Sequence, residues 1–459
     1  MSDDSYKFEY NQKLSILKSI RHEIKKKRFI LDESKDKFAF DDLTQLKKVK
    51  NTSEVKGYPF VASKVQSKTL KGIKLGLKVI PIETKFEKYE HPTNLEFIAL
   101  KELTDNILHK NISPHIVCYL GSQNVPNKSR SIKFLNLKRL EIEDKIKTHS
   151  NLLISEYIEG GSLDNWVYNI YEKDLEIKDV EWKSIVFQMI YTISVMQYYY
   201  KMMHNDFHYG NILVDTSIEK IHGQYFVYTI DNQTYYLPNN GFISKLWDFE
   251  YCMVYSNKIS EYYPNKFIIG NCEYNKKTHV TTEPIFKTED SSDDLNVPYN
   301  YNEVYDLHYF LTTLLDLYIS QELFDWIMEI YPSELIPKED SNSQTSSDDT
   351  NSNTTNSENT NSETTNSETT NSETTNSETT NSENTNSENT NSETTNSDTT
   401  SLDNYDYYLG DGRMRNGIDK EFKDLPVPLK VLSHDFFKEF KIKPVDFDET
   451  KAIYFNSGF

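Results

Sequence analysis

The chain is poor in alanine, glycine and cysteine, and it has no long apolar run. Of 459 residues only four are alanine, 14 are glycine and three are cysteine. The alanine shortage fits an A/T-rich coding genome and says nothing of activity. The cysteines, Cys118, Cys252 and Cys272, are odd in number and far apart. Such spacing speaks against a disulfide frame or a zinc site and reads as free buried thiols in a reducing compartment. No apolar stretch reaches the ~18 residues of a membrane-spanning helix, and the polar, acidic N-terminus is not a secretory leader. Positive charge is also in deficit, with 51 Lys and Arg against 71 Asp and Glu, a net −20. Residues 339–400 hold 13 of the carboxylates and no Lys or Arg, which leaves −7 for the rest. A general nucleic-acid surface is therefore not expected, and the expected location is the cytoplasm.

What is plentiful is aromatic: 32 Tyr and 24 Phe are enough for a sizeable core. Residues 1–50 form a charged extension in which Leu14, Leu17, Ile20 and Ile24 recur at near-helical spacing. The favoured reading is a helix packed on the core. The Lys25-Lys26-Lys27-Arg28 run leaves nuclear targeting or an anionic surface as the second reading. Gly57–Val65, Gly76–Ile82, Ile116–Leu120 and Asn151–Tyr157 read as strands. Residues 93–109 and 180–200 carry apolar faces at helical spacing. Together they predict an α+β plan, a five-stranded sheet with one helix followed by a mainly helical part.

Residues 352–400 repeat a unit close to Thr-Thr-Asn-Ser-Glu. A period of five matches neither helix nor strand, and no side chain in it can build a core, so 339–402 is expected to be a disordered insertion. Structure is expected to resume over 403–459, where Leu429, Leu432, Phe436, Phe437 and Phe440 recur.

The strongest chemical signal is His204-Asn205-Asp206-Phe207-His208-Tyr209-Gly210-Asn211, directly after the second helix. An Asp and an Asn five positions apart on a loop can serve one phosphate, the Asp orienting a hydroxyl and the Asn carbonyl holding a metal. Lys245-Leu246-Trp247-Asp248-Phe249-Glu250 follows, with Asp248 37 residues after Asn211. An Asp at the end of an apolar strand can reach Mg²⁺ on nucleotide phosphates. Either Asp alone would be a turn residue; the ordered pair favours chemistry.

These stretches resemble the protein-kinase superfamily, the first being similar to H-R-D-L-x-x-x-N and the second to D-F-G. The resemblance implies a bilobal fold, with a small lobe over about 51–158 and a large lobe over about 159–338 completed by 403–459. It implies ATP and Mg²⁺ as cofactors and transfer to a Ser/Thr hydroxyl of a protein substrate, with no membrane. Lys78 matches the strand lysine, Glu96 its helical partner 18 residues on (Glu102 as fallback), Asp206 the catalytic base, and Asn211 and Asp248 the metal ligands. Glu156 and Ile158 match the hinge, whose backbone meets adenine, with Ser155 as a small gatekeeper. Gly57 and Val61 stand where the phosphate-covering loop belongs, and Asp306 where an Asp holds the catalytic loop.

Departures point to a divergent branch. Gly57 is the single glycine of its loop, Asn205 replaces an arginine, Glu250 replaces the last glycine of D-F-G, and no A-P-E follows. His208 in place of lysine is similar to haspin-like kinases and to small-molecule phosphotransferases of the aminoglycoside and choline type. With an expected hairpin at 225–236, the haspin-like features resemble kinases coded by large DNA viruses, whose place would be the host cytoplasm or the virion. A small-molecule kinase and a pseudokinase binding module are the alternatives.

Overall fold

The computed structural model describes residues 6–27, 39–40, 44–53, 61–67, 74–83, 92–126, 147–255, 266–269, 272–275, 280–284, 301–331 and 426–459. Gly57, and the expectations for the repeat at 339–402, lie outside the described residues. By contacts the chain divides into a unit of Met1–Ile336 with Asn404–Phe459 and a second of Pro337–Asp403.

Helix α1 (Tyr10–Lys27) presents Tyr10, Leu14, Leu17, Ile20 and Ile24 to the core, which is one face at a 3.6-residue period. Strands β1 (Ala39–Phe40), β2 (Thr44–Ser53), β3 (Val61–Ser67), β4 (Lys74–Glu83), β5 (Tyr119–Pro126) and β6 (Lys147–Glu156) form one antiparallel sheet. Its order is β1-β2-β3-β4-β6-β5, six strands where five were expected; β1 and most of β2 lie within residues 1–50, which were expected to be an extension outside the sheet. The strand expected at Ile116–Leu120 begins three residues later. Residues 115–117 are drawn off to pair with another element, since Val117 N–H donates to Leu246 O and Leu246 N–H to His115 O.

Helix α2 (Pro92–Leu103) opens on proline, whose missing N–H costs nothing in a first turn. A π turn, Thr104–Leu108, continues it. There the Thr104 hydroxyl accepts the Tyr119 N–H at 2.9 Å, tying the helix end to β5. Helix α3 (Leu163–Tyr171) precedes α4 (Asp179–Tyr200). Every residue of α4 from Trp182 to Met196 is buried, so this helix is a core axis rather than an amphipathic cover.

After α4 the chain forms short strands: β7 (Met202–Met203), β8 (Ile212–Asp215), β9 (Tyr225–Ile230), β10 (Gln233–Pro238), β11 (Ile243–Leu246) and β12 (Met253–Val254). The β9–β10 hairpin turns at Asp231 and Asn232, both at positive φ (49° and 58°), as a two-residue turn of matching twist requires. Strands β13 (Lys266–Ile269), β14 (Cys272–Asn275) and β15 (Val280–Pro284) pair in a separate meander. Helices α5 (Tyr305–Leu314) and α6 (Gln321–Ile330) follow.

The C-terminal segment returns to this body. Helix α7 (Pro428–Leu432) and a 3-10 turn, Asp435–Lys441, bury Val431, Leu432, Phe437 and Phe440. Phe437 meets Phe187 of α4 edge-on at 5.6 Å. Strand β16 (Ile453–Asn456) joins β9 in parallel, an element the sequence pattern did not announce. Cys118 and Cys252 are buried thiols. No helix among the described residues is long and apolar enough to cross a membrane.

Candidate active site

Two strands bring the motif loops together. Strands β8 and β11 pair antiparallel, Ile212 opposite Leu246 and Asp215 opposite Ile243. Asn211 immediately precedes β8, and Trp247 and Asp248 immediately follow β11. Both therefore emerge at one end of the ribbon, where Trp247 N–H donates to Asn211 O at 3.0 Å. Asn211 uses its side-chain N–H₂ twice, on Asp206 O at 2.9 Å and Asp206 Oδ2 at 2.8 Å. Those bonds fix the amide with its Oδ1 turned the other way.

The loop before Asn211 is held from beneath. Asp306, in the first turn of α5 and fully buried, accepts the backbone N–H of His204 at 2.7 Å and of Asn205 at 2.9 Å. Burial pushes the Asp306 carboxyl up to about 7, against the pull of those two donors. His204, also buried, is pushed down to about 4 by burial and is neutral. Its Nε2 donates to Trp247 O at 2.9 Å, and its Nδ1 accepts the Asp206 N–H at 3.3 Å. Asn205, where an arginine was expected from the resemblance, is buried at positive φ (63°) and donates to Tyr251 O at 2.9 Å. The short amide thus ties the two motif loops to each other.

His208 folds back over the loop. Its Nδ1 accepts the Gly210 N–H at 3.1 Å, which leaves Nε2 as the protonated nitrogen, 3.6 Å from Asp206 Oδ2. A Cβ on Gly210 would lie 2.7 Å from His208 Cε1, so only glycine permits this ring position.

The sheet supplies the cation. Lys78, on β4 opposite Leu153 of β6, is 4% exposed, and its Nζ lies 3.1 Å from each oxygen of Glu96 and 2.8 Å from Asp248 Oδ1. Burial alone would lower Lys78, but Asp248, Glu96 and Glu250 raise it above the ordinary lysine value. Glu96 is 0% exposed on α2, and burial pushes it up despite Lys78. Glu102, the fallback partner, instead accepts from Asn106 at 2.5 Å and from the Tyr200 hydroxyl at 3.2 Å. Val61 lies at the start of β3, with its backbone opposite Val79.

The residues matched to the hinge, Glu156 and Ile158, lie where β6 ends. Glu156 N–H donates to Cys118 O at 3.0 Å, and Glu156 O accepts the Ser155 hydroxyl at 3.0 Å, a carbonyl with a second lone pair left. Ile158 is buried at 4% exposure. Gly160 then donates to Val214 O of β8 at 3.0 Å. A side chain there would meet that oxygen at 2.2 Å, so this glycine serves a close approach as well as a turn.

Some participants were not legible in the sequence. Glu250 faces the charges of Lys78, Asp248 and Asp206, and burial pushes it up to about 7. Trp247 places its ring 5.8 Å from Lys78 Nζ. Only proximity to D-F-G could have drawn attention to either.

The donors suit magnesium. An amide oxygen from Asn211 and a carboxylate from Asp248 are hard oxygen ligands, and magnesium takes few of these from protein, completing its octahedron with phosphates and water. Among the described residues no group of three His, Cys, Asp or Glu is placed to hold a metal ion.

A family model described as an ABC1 atypical kinase-like domain matches residues 134–236. A chain of Acanthamoeba polyphaga mimivirus, provisionally named a serine/threonine-protein kinase, is 24% identical over 274 residues, 53% of this chain and 52% of that one. A Dictyostelium discoideum chain with a similarly provisional name is 34% identical over 104 residues, 21% of this chain and 8% of its own. The chain thus spans about half the length of the mimivirus relative and a small part of the other. Among solved structures, the BubR1 kinase domain is similar at 13% identity and a TM-score of 0.31, over 49% of this chain and 51% of that one.

Proposed function

From a divergent protein-kinase-like protein, we propose phosphoryl transfer from Mg-ATP to a serine or threonine hydroxyl of a protein substrate. The observation that carries this reading is the convergence of Lys78, Glu96, Asp206, Asn211 and Asp248 from four separate stretches of chain, through the contacts described above.

In this reading the acceptor oxygen forms a bond to the γ-phosphorus while the bond from that phosphorus to the β-phosphate bridging oxygen breaks, releasing ADP. The hydroxyl proton passes to Asp206. Asn211 orients Asp206, and His208 flanks it on its Oδ2 side. Lys78, held by Glu96, offers its ammonium to the α- and β-phosphates. Magnesium, held by Asn211 and Asp248, would supply charge neutralisation on the β- and γ-oxygens. The backbone of Glu156 and Ile158 would receive the adenine edge, and Val61 would lie above the nucleotide. Most of the rate then comes from positioning and electrostatics.

The test is transfer of labelled phosphate from Mg-ATP to a panel of protein and peptide acceptors, with an aminoglycoside and choline alongside. Wild-type protein is expected to label Ser or Thr. Asp206→Asn and Asp248→Ala are expected to lose at least about 100-fold while remaining folded. Undiminished labelling by Asp248→Ala would reject the metal assignment, and labelling of the small molecules alone would reject the protein substrate.

A further inference from the structure

A second set of charges lies beside the site, and of these only Glu156, through its backbone, was expected to act. Lys13 of α1, Glu156 at the end of β6, Asp215 at the end of β8 and Lys245 of β11 are 7%, 2%, 0% and 3% exposed. They form one buried chain. Lys13 Nζ lies 2.5 Å from Asp215 Oδ2 and 3.4 Å from Glu156 Oε2, and Lys245 Nζ lies 2.6 Å from Glu156 Oε1. Cys118 N–H donates to Glu156 Oε1 at 2.7 Å, Lys245 Nζ reaches Ile116 O at 3.4 Å, and the Ser217 hydroxyl donates to Asp215 Oδ1 at 2.7 Å. Two cations and two anions balance, which is what allows them to be buried.

Each member belongs to a different part of the site. Glu156 is the hinge. Asp215 closes the strand that begins one residue after Asn211, and Lys245 stands three residues before Asp248. Helix α1 reaches the same parts at its other positions. Arg21 pairs with Asp105 at 2.8 Å beyond α2 and lies over the Tyr119 ring of β5 at 5.2 Å. Phe8 bonds Ser217, and Tyr10 packs edge-on to Phe226 and Phe455. The N-terminal segment thus touches both the six-stranded sheet and strands β8, β9 and β16, and Lys13 bonds to both sides.

We propose that Lys13 is a positioning residue: it ties the hinge acid Glu156 to Asp215, and so holds the sheet and the β8–β11 ribbon at the separation that binds nucleotide. The proposal rests on the phosphoryl-transfer reading above. A cleft released from this tie spends part of its time too open to bind, so apparent affinity falls by the competent fraction. Saturating nucleotide restores the closed form. The signature is a raised KM for Mg-ATP with kcat preserved.

Lys13→Met alone leaves Asp215 buried with one cation fewer and can fail to fold. The decisive variant is therefore Lys13→Met with Asp215→Asn, which removes one charge of each sign and leaves Glu156 paired with Lys245. Lys25→Met is the control, on the same helix but with its side chain 55% exposed. The double variant is expected to raise KM for Mg-ATP about tenfold, with kcat within about threefold of wild type. Without nucleotide, amide hydrogen exchange at residues 154–161 and 211–215 should accelerate, and Lys25→Met should change neither readout. A lower kcat at unchanged KM would mean only fewer folded molecules and would overturn the proposal. Exchange accelerated in α1 alone would overturn it equally. If wild-type protein transfers no phosphate, the functional reading falls, and the exchange measurement still decides the tie by itself.

Discussion

Lys78 and Asp248 are 170 residues apart in the chain, and their side chains meet at 2.8 Å. The lysine comes from the central part of the sheet and the aspartate from the loop after β11, so the contact joins the two halves of the site. Lys78 also holds both oxygens of Glu96, which places one buried cation between two carboxylates.

That arrangement orders the cost of two substitutions. Lys78→Met removes the shared cation and leaves Glu96 and Asp248 facing each other, a loss of about 3–5 kcal/mol by analogy with other broken buried pairs. Glu96→Gln leaves Lys78 paired with Asp248 and relieves a buried acid, so about 1–2 kcal/mol is expected. Urea unfolding of the two variants at pH 7.5 measures both. A larger loss for Glu96→Gln would show that Asp248 does not share the lysine.

Asp306 predicts a pH dependence. Its carboxyl is pushed by burial to about 7, above the usual carboxylate range. Between about pH 4 and 7 the folded protein then keeps a proton that the unfolded chain has lost. Stability contributed by this group is full below pH 4 and falls as pH rises toward 7, by up to about 1.4 kcal/mol per pH unit. Asp306→Asn removes that contribution to the slope. It also replaces one acceptor by a donor, against the N–H of His204 or Asn205. Denaturation at pH 5, 6, 7 and 8 checks this, and a difference between wild type and variant that does not change with pH would refute it.

Gly210 and His208 should act as one unit. An alanine Cβ at 210 must displace the imidazole from its 3.6 Å approach to Asp206. Gly210→Ala and His208→Ala are each expected to slow transfer, on the order of 10- to 100-fold as for other supporting contacts. The double variant should be no slower than the worse single, since both remove one interaction. Multiplied losses in kcat would place the two residues in separate roles.

Much of the framework was readable in advance because it depends on local periodicity. Trp182, Ile185, Val186, Met189, Ile190, Ile193 and Met196 mark α4 within one residue of its start. Turn chemistry at Asp231 and Asn232 marks the β9–β10 hairpin. The first two strands of the sheet are not legible because β1 is two residues long and β2 holds only Leu46 and Val49 as apolar residues, with no alternation. Strand β5 starts later than the apolar run because residues 115–117 pair with Leu246 of β11. The C-terminal aromatics announced packing, yet β16 alternates over only four residues, and its parallel partner is more than 200 positions away.

Motif order in the chain was enough to nominate Lys78, Glu96, Asp206, Asn211 and Asp248, because spacing along strands and loops is a one-dimensional property. Composition likewise set the charge balance and the absence of a long apolar span. The buried chain Lys13–Glu156–Asp215–Lys245 was decided in three dimensions. A lysine on a charged N-terminal helix looks solvated until packing removes the water around it. Only then does its nearest carboxylate, rather than its sequence neighbours, determine what it does.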